Sequence, residues 1–399
     1  MQVRKGVRRI GALVIALVAA NAMADTPKAI EVPSPEAEAE ILDLLERQAL
    51  YRDRVDWPGT RTRLQSVQGD PVKRLALLRE AIAVSTGNHG VWTTTQRQSE
   101  SLARAQQVGA AAVERAKAAD AVDARIGWLV IEGYASTPGA TPQEAFRQNI
   151  QRAARWQQVI RSKDDGMRCG WIVDLRDNSG GNMWPMLLGM APLLRTSVVN
   201  NEDVGAFETA QGPERWTLTA TAVQRAGKSV LDFGQSGYVL RQPGAPVAVL
   251  FGPRTGSSGE ASALAWRGRP QTRSFGQPTA GVSTGNVVHT LADGSRLLLT
   301  TSVMRDRNDR GDGLKIEPDQ RVEGDAATVA AAQAWCWPSP PARAPGHDPD
   351  RPTGTGADRR PHRSPPLPAL PDGNRVRAPA ALQDGAHRPA VRPHLPSPL

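Results

Sequence analysis

Short apolar runs, separated by stretches of helical periodicity, organise the middle of the chain. Residues 126–131, 170–175 and 245–251 are apolar runs with the length of buried strands. Between the first two, Thr141-Pro-Gln-Glu144 has the pattern of a capping box and predicts a helix that runs to about Ile160. Strands separated by helices predict an α/β fold.

The later stretches complete the predicted core. A helix is predicted over 183–194, and a hairpin over 287–301 around the turn Asp293-Gly294. Residues 195–243 lack a clear period and are expected to be irregular. A short helix at 326–334 is expected to end the core, which we place at 123–335.

The preceding segment, residues 25–122, is predicted to be a small helical domain. Ser34-Pro35 and Asp70-Pro71 each combine a capping side chain with proline in the first turn. Apolar residues follow both pairs at helical spacing. Residues 100–122 are rich in alanine and charge, which also favours a helix.

Residues 336–399 differ in composition from the rest of the chain. They contain half of its 32 prolines and show no apolar periodicity. Such a segment cannot bury a core and is predicted to be disordered. Two origins are open: a natural Pro- and Arg-rich tail, and an out-of-frame translation of GC-rich DNA, which is the hypothesis we favour.

The net charge of +9 comes from the two ends of the chain. The first 24 residues and the tail are both strongly basic, and the body between them is close to neutral. A near-neutral body gives no reason to expect nucleic acid or an anionic membrane surface as a partner.

Residues 1–24 have the pattern of a secretory signal peptide. A basic start is followed by the apolar run 10–20 and by the small-residue site Ala22-Met-Ala24. We predict cleavage after Ala24 and a periplasmic or secreted protein with no stable membrane insertion. The alternative is an uncleaved anchor, for which the run is short. Cys169 and Cys336 predict neither a structural disulfide nor a zinc site.

The strongest candidate for chemistry is the turn that follows the strand at 245–251. Ser257 lies in this turn, where its hydroxyl can project from the sheet and the first N–H groups of the next helix are free. An acyl-transfer nucleophile needs that environment, although a serine here can equally be a helix cap. Gly180-Gly181 can turn N–H groups toward an oxyanion or form an ordinary turn.

Outside the tail the chain has two histidines that could serve as a general base. His289 alternates within the predicted hairpin and is expected to pack or to face solvent. His89 lies in a loop after a helix, where its side chain can reach another element, although most loop histidines have no such role. The G-x-S-x-G pattern of α/β-hydrolases is absent, because Gly256-Ser-Ser-Gly259 is one residue too short.

Several of these stretches follow the order typical of one family. Asp174-Leu-Arg-Asp-Asn-Ser-Gly-Gly181 resembles the DLR-x-N-x-GG signature of the C-terminal processing (tail-specific) serine peptidases, and Thr255-Gly-Ser-Ser-Gly-Glu260 resembles their nucleophile motif (S/T)-A-S-(A/S)-x-E. Phe275–Gly281, Asp293-Gly294 and Glu317-Pro-Asp319 are similar to later motifs of the family. The resemblance covers roughly 126–325 and implies a crotonase/ClpP-like ββα spiral.

The resemblance also implies the residues of an active site. Ser257 falls on the nucleophile, and the N–H of Ser258, with that of Gly180 or Gly181, falls on the oxyanion hole. The chain departs from the lysine-dependent branch, which has a lysine where this chain has Val282, so a Ser–Lys dyad is not expected. The space before the core is also too short for the family's PDZ module.

The tricorn-like branch of the family uses a histidine from a loop in a preceding helical domain. His89 resembles that histidine, and the resemblance therefore implies that it is the general base. An acid near the closing Pro-Asp motif orients the chemistry in that branch. Its position falls on Asp312, with Asp306 as a rival.

The sequence therefore predicts an exported serine peptidase that acts on peptide or protein substrates. No metal or organic cofactor is implied, and the sequence does not indicate an oligomeric state. The alternative is a non-catalytic ligand- or peptide-binding protein on the same fold, because the resemblance includes relatives that bind apolar ligands. Contact between Ser257 and His89 favours the peptidase, and a dominant apolar pocket favours the binding protein.

Overall fold

The computed structural model describes residues 31–118 and 122–336. The predicted signal peptide and, apart from Cys336, the predicted tail lie outside the described residues. The helices are α1 (Pro35–Gln48), α2 (Trp57–Ser66), α3 (Pro71–Thr86), α4 (Thr95–Ala118), α5 (Pro142–Lys163), α6 (Met183–Leu194), α7 (Ser258–Trp266) and α8 (Asp325–Cys336). The strands are β1 (Val91–Thr93), β2 (Ile126–Val130), β3 (Gly170–Asp174), β4 (Glu202–Thr209), β5 (Gly212–Leu218), β6 (Ala222–Arg225), β7 (Lys228–Asp232), β8 (Val247–Phe251), β9 (Thr272–Gly276), β10 (Thr284–Thr290), β11 (Arg296–Arg305) and β12 (Gln320–Arg321).

A parallel sheet forms the centre of the molecule and confirms the predicted α/β fold. Its strand order is β12-β9-β8-β3-β2, and all neighbours are parallel. Alternate side chains of its strands pack on opposite faces: Val173 and Val249 face α5, α6 and α7, whereas Ile172 and Ala248 face α8. Both faces are covered, which is why these strands appear in the sequence as continuous apolar runs.

An antiparallel sheet is the second layer. Its strand order is β1-β11-β4-β5-β6-β7, and β10 also pairs with β11. The expectation that residues 195–243 are irregular is wrong, because four strands of this sheet lie there. These strands carry many polar residues that are partly exposed, such as Glu202 and Arg215, or fully exposed, such as Lys228, so they lack the apolar runs that mark the parallel strands.

The N-terminal helices begin at their predicted caps and pack on β11. The Ser34 hydroxyl accepts from Ala37 N–H at the start of α1, and the Asp70 carboxylate accepts from two N–H groups at the start of α3. Leu297 and Leu299 of β11 pack in one apolar cluster with these helices. Helix α2 was not predicted, because its sequence lacks an apolar stripe.

The loop between α3 and β1 carries His89. Helix α3 is followed by its C-cap Gly87, whose φ of 62° is the left-handed conformation that glycine adopts easily. Two residues after His89, Val91 pairs with Leu298 of β11 in antiparallel register. The loop is therefore held at both ends by regular structure.

Cys336 is the last residue of α8 and packs inside the fold. Its thiol lies beside Gly170 and is buried, and burial raises its pKa to about 12. Cys336 therefore belongs to the core rather than to the tail that we expected to start there. Among the described helices, none is both long and apolar enough to cross a bilayer.

Candidate active site

Ser257 lies on a tight turn between β8 and α7. The turn is held by Thr255, whose hydroxyl donates to Leu175 C=O and accepts from Gly252 N–H. Ser257 has a φ of 53° and a ψ of −118°, which is a rare conformation for a residue with a side chain and costs on the order of 1–3 kcal/mol. A strained conformation of this kind is typical of functional sites, where the surrounding structure enforces it.

The structure brings His89 to Ser257, although the two are far apart in the sequence. His89 Nε2 lies 2.9 Å from Ser257 Oγ. On the opposite side of the ring, Nδ1 lies 2.6 Å from Thr284 Oγ1. If Nδ1 carries the proton, it donates to Thr284, and Nε2 is left free to accept the proton of the serine hydroxyl.

The structure does not bring Asp312 or Asp306 to this pair. The exposed Asp312 accepts a hydrogen bond from Leu314 N–H, and the buried Asp306 accepts from Asn308 and Arg310 N–H within its own turn. Among the described residues, the partner of His89 Nδ1 is therefore a neutral hydroxyl. No sequence motif marks Thr284, which is simply the first residue of β10.

Burial lowers the pKa of His89 from its ordinary value of 6.5 to about 4. No carboxylate contacts the ring within the described part of the chain, so nothing offsets the cost of burying the charged form. The imidazole is consequently neutral at physiological pH. It can accept a proton, although it is a weaker base than an ordinary histidine.

Two backbone N–H groups point to an oxyanion hole beside Ser257. Ser258 N–H is in the first turn of α7, where it has no partner within the helix. Gly180 N–H already donates to Asn178 Oδ1, whereas the bridge between Tyr134 and Gly181 uses Gly180 C=O and Asn182 N–H, and no acceptor contacts Gly181 N–H within the described part of the chain. Of the two predicted glycines, Gly181 is therefore the better donor.

Gly180 has a different part in the site, because it lies against the nucleophile. A Cβ atom at this position would come within 2.8 Å of Ser257 Cβ, and its φ is 110°. Only glycine fits there without a shift of the backbone.

Two buried polar residues of the quoted motifs hold the site together. Asn178 C=O accepts from Gly256 N–H, and Asn178 Oδ1 accepts from Gly180 N–H, so one side chain and its backbone join the nucleophile turn to the glycine turn. The Glu260 carboxylate accepts from Ser257 N–H and from two N–H groups at 281–282. Both residues lie in the family motifs, and neither was predicted to have a role of its own.

Val282 lies where the family's lysine would be. Its N–H donates to Glu260, and its side chain approaches Gly256 next to the nucleophile. An apolar side chain cannot act as a base, so the lysine-dependent arrangement is not available at this position.

A cleft of about 650 Å³ reaches the glycine turn. One wall is helix α4, the second is formed by β1 and β11, and the third is the loop at 134–140. Gly180 and Gly181 are among its lining residues. The cleft is large enough for several residues of an extended peptide.

An α/β fold with a serine on a strained turn, a histidine in contact with it and free N–H groups nearby is typical of serine hydrolases as a class. Comparison with known proteins defines the family. The model of peptidase family S41 matches residues 125–322. This core of the chain belongs to peptidase family S41, and the resemblance to the C-terminal processing serine peptidases is confirmed.

The individual proteins compared with this chain share 34% sequence identity or less with it. The nisin-resistance protein of Lactococcus lactis subsp. lactis is 34% identical over 151 residues, which is 38% of this chain and 45% of that protein. A lipoprotein from Streptococcus agalactiae has the same fold, with a TM-score of 0.55 and 23% identity over 77% of this chain and 98% of that one. The photosystem II D1 C-terminal processing protease has a TM-score of 0.33 and 20% identity, over 43% of this chain and 39% of that protein.

Proposed function

We propose that this protein is a serine peptidase in which Ser257 is the nucleophile and His89 is the general base. The observation that carries the proposal is the 2.9 Å contact between His89 Nε2 and Ser257 Oγ. This distance is within the range needed for proton transfer from the hydroxyl to the ring. Membership of a peptidase family independently supports a peptide as the substrate.

The reaction follows from the placement of these groups. Ser257 Oγ forms a bond to the carbonyl carbon of the peptide, its proton passes to His89 Nε2, and the carbonyl oxygen becomes an oxyanion. Ser258 and Gly181 N–H donate to this oxyanion, and each such donor contributes a few kcal/mol. Cleavage of the C–N bond then releases the amine, which takes the proton from His89. Water, activated by the same ring, hydrolyses the acyl-enzyme.

Thr284 has the orienting role in this proposal that Asp312 has in the resemblance. Its hydroxyl fixes the ring and its tautomer through Nδ1. A hydroxyl does not stabilise the imidazolium as a carboxylate does. We therefore expect a slower enzyme than one with an acid at this position.

A fluorophosphonate probe tests the proposal, because it labels an activated serine without requiring a known substrate. The full chain is compared with Ser257→Ala, His89→Ala and the control His289→Ala, which removes the other histidine of the described residues. We expect Ser257→Ala and His89→Ala to abolish labelling while circular dichroism stays unchanged, and His289→Ala to retain it. Folded wild-type protein without label would favour the non-catalytic binding protein.

Peptides are the proposed substrates, and the L. lactis relative is named for resistance to nisin. Nisin is therefore a reasonable first peptide to incubate with the protein. Mass spectrometry of the mixture with wild type and with Ser257→Ala reports whether any fragment depends on the nucleophile.

We also propose that the protein is exported, on the basis of the signal pattern in residues 1–24. The mature chain would begin at Asp25. An intact-mass measurement on protein from its natural source tests this proposal and the origin of the tail together. Retention of Met1 would contradict export by cleavage, and presence of residues 337–399 would contradict the frameshift hypothesis.

A further inference from the structure

The two arginines that line the cleft differ in their partners. Arg97 on α4 forms an ion pair with Glu31 at 2.7 Å. Arg296 on β11 donates to Gln98 Oε1 at 3.1 Å, and among the described residues no carboxylate lies within ion-pair distance of it. Arg296 is only partly exposed, so its charge is partly removed from water without a counter-ion.

Gln98 adds a second unused donor at the same place. Its Nε2 is buried and has no hydrogen-bond partner. A guanidinium that lacks a counter-ion and a neighbouring amide N–H that lacks an acceptor are matched by the two oxygens of a carboxylate. A buried donor without an acceptor raises the free energy of the folded protein, so a ligand that accepts from this donor gains a similar amount of binding free energy.

The position of Arg296 relates it to the proposed reaction. Arg296 pairs with Thr93, four residues along the chain from His89. Four residues of extended chain span at most about 14 Å. The step across the strand pair from Thr93 to Arg296 adds about 5 Å, so Arg296 lies within about six extended residues of His89 and lines the same cleft as Gly181.

Apolar side chains from β1, β10 and β11 line the cleft near Arg296. Leu298 of β11 lies between Val91 of β1 and Val288 of β10 in the pairing register. All three line the cleft, and Val91 and Val288 are exposed. An extended peptide that lies on this strip would exclude water from the arginine and strengthen its interaction with a carboxylate.

We propose that Arg296, together with Gln98, binds a carboxylate of the peptide substrate within about six residues of the scissile bond. The inference rests on the proposed peptidase function. The carboxylate has two sources: the side chain of Asp or Glu, and the C-terminus of the peptide. Both present the same chemistry to the arginine.

Two synthetic libraries of randomised peptides distinguish these sources. They share an acetylated N-terminus, and one ends in a free carboxylate while the other ends in an amide. Cleavage by wild type, Arg296→Gln and Ser257→Ala is mapped by mass spectrometry. Arg79→Gln is the matched control, because it removes one charge from an exposed position of α3 outside the cleft.

We expect wild type to prefer peptides with a carboxylate at a fixed distance from the cleaved bond by about 10- to 100-fold in kcat/KM, the effect of one charged hydrogen bond. Arg296→Gln should lose this preference, and Arg79→Gln should keep it. Enrichment of Asp or Glu in both libraries identifies a side chain as the source. Cleavage near the end of the free-carboxylate peptides alone identifies the C-terminus.

Cleavage that depends on Ser257 but shows no preference for a carboxylate of either source would overturn the inference and would leave the proposed peptidase function standing. Absence of any Ser257-dependent cleavage would overturn both. Binding supplies a test that does not need turnover: the Ser257→Ala protein should bind a fluorescein-labelled free-carboxylate library more tightly than the double variant Ser257→Ala/Arg296→Gln does. Equal anisotropy titrations of these two proteins would also contradict the role of Arg296.

Discussion

The pH dependence of Ser257 acylation should reveal the environment of His89. The perturbation is acidification, which protonates the base and stops proton transfer from the serine. Because burial lowers the pKa of His89 to about 4, the ring stays neutral well below the pH at which an ordinary histidine titrates. We therefore expect labelling by a fluorophosphonate to persist into mildly acidic solution.

The magnitude follows from the two pKa values. At pH 5.5 a histidine with a pKa of about 4 is about 97% neutral, whereas one with the ordinary value of 6.5 is about 9% neutral. Wild type should thus keep nearly all of its plateau rate at pH 5.5. An ordinary base would keep about a tenth of it.

The assay is the second-order labelling rate between pH 3.5 and 8.5, with circular dichroism at each pH to verify that the fold is intact. The rate of probe hydrolysis in the same buffers without protein corrects for changes in the probe. An acid limb centred near pH 6.5, with the fold unchanged, would refute the buried, carboxylate-free site that we describe. An acid limb near pH 4 that also appears in His289→Ala would attribute the titration to His89.

Further predictions concern stability and the groups around the nucleophile. The pKa of His89 is lower in the folded than in the unfolded protein, so its contribution to stability is full above pH 6.5 and falls as the pH drops toward 4. At pH 5 the free energy of unfolding should be lower by at most about 2 kcal/mol. Urea titrations of His89→Gln should not show this decrease. Thr284→Val removes the partner of Nδ1 and should lower the labelling rate about 10-fold with little change in the urea midpoint. Glu260→Ala removes the buried carboxylate that accepts from the N–H groups of Ser257 and Gly281. Because these N–H groups are left without an acceptor, the free energy of unfolding should fall by about 3 kcal/mol in chemical denaturation. Gly180→Ala places a Cβ 2.8 Å from Ser257 Cβ and should abolish labelling, and wild-type labelling of the alanine variant would contradict the close approach.

The sequence predicted those parts of the fold that leave a local signal. The strands of the parallel sheet are buried on both faces, and their apolar runs were unambiguous. Helix α5 was predicted at its first residue, because Thr141 and Glu144 form the expected capping box. Strands β4–β7 left no such signal, since their stability comes from neighbours in the sheet and from one covered face.

The residues of the site also divide into those with a local sequence signal and those without one. Ser257 and the glycine turn lie in motifs that can be found by inspection of the sequence, and the family resemblance pointed to His89. Thr284 could not be found, because its importance depends on the pairing of β10 with β11, which brings the strand to a loop nearly 200 positions earlier. Asp312 was chosen by its spacing from a motif, and spacing alone does not determine where a side chain points.

The distribution of charge around Ser257 suggests how the site is built. Its buried carboxylate, Glu260, binds backbone N–H groups of the nucleophile turn and of 281–282 and does not bind the histidine. The negative charge of Glu260 therefore holds the strained backbone of Ser257, whereas the neutral hydroxyl of Thr284 orients the imidazole of His89. Because no carboxylate among residues 31–118 and 122–336 contacts the ring to stabilise an imidazolium, most of the catalytic effect must come from geometry and from the oxyanion donors, which act on the substrate and not on the base. Substitutions that move the glycine turn should consequently reduce the rate more than substitutions that change the orientation of His89.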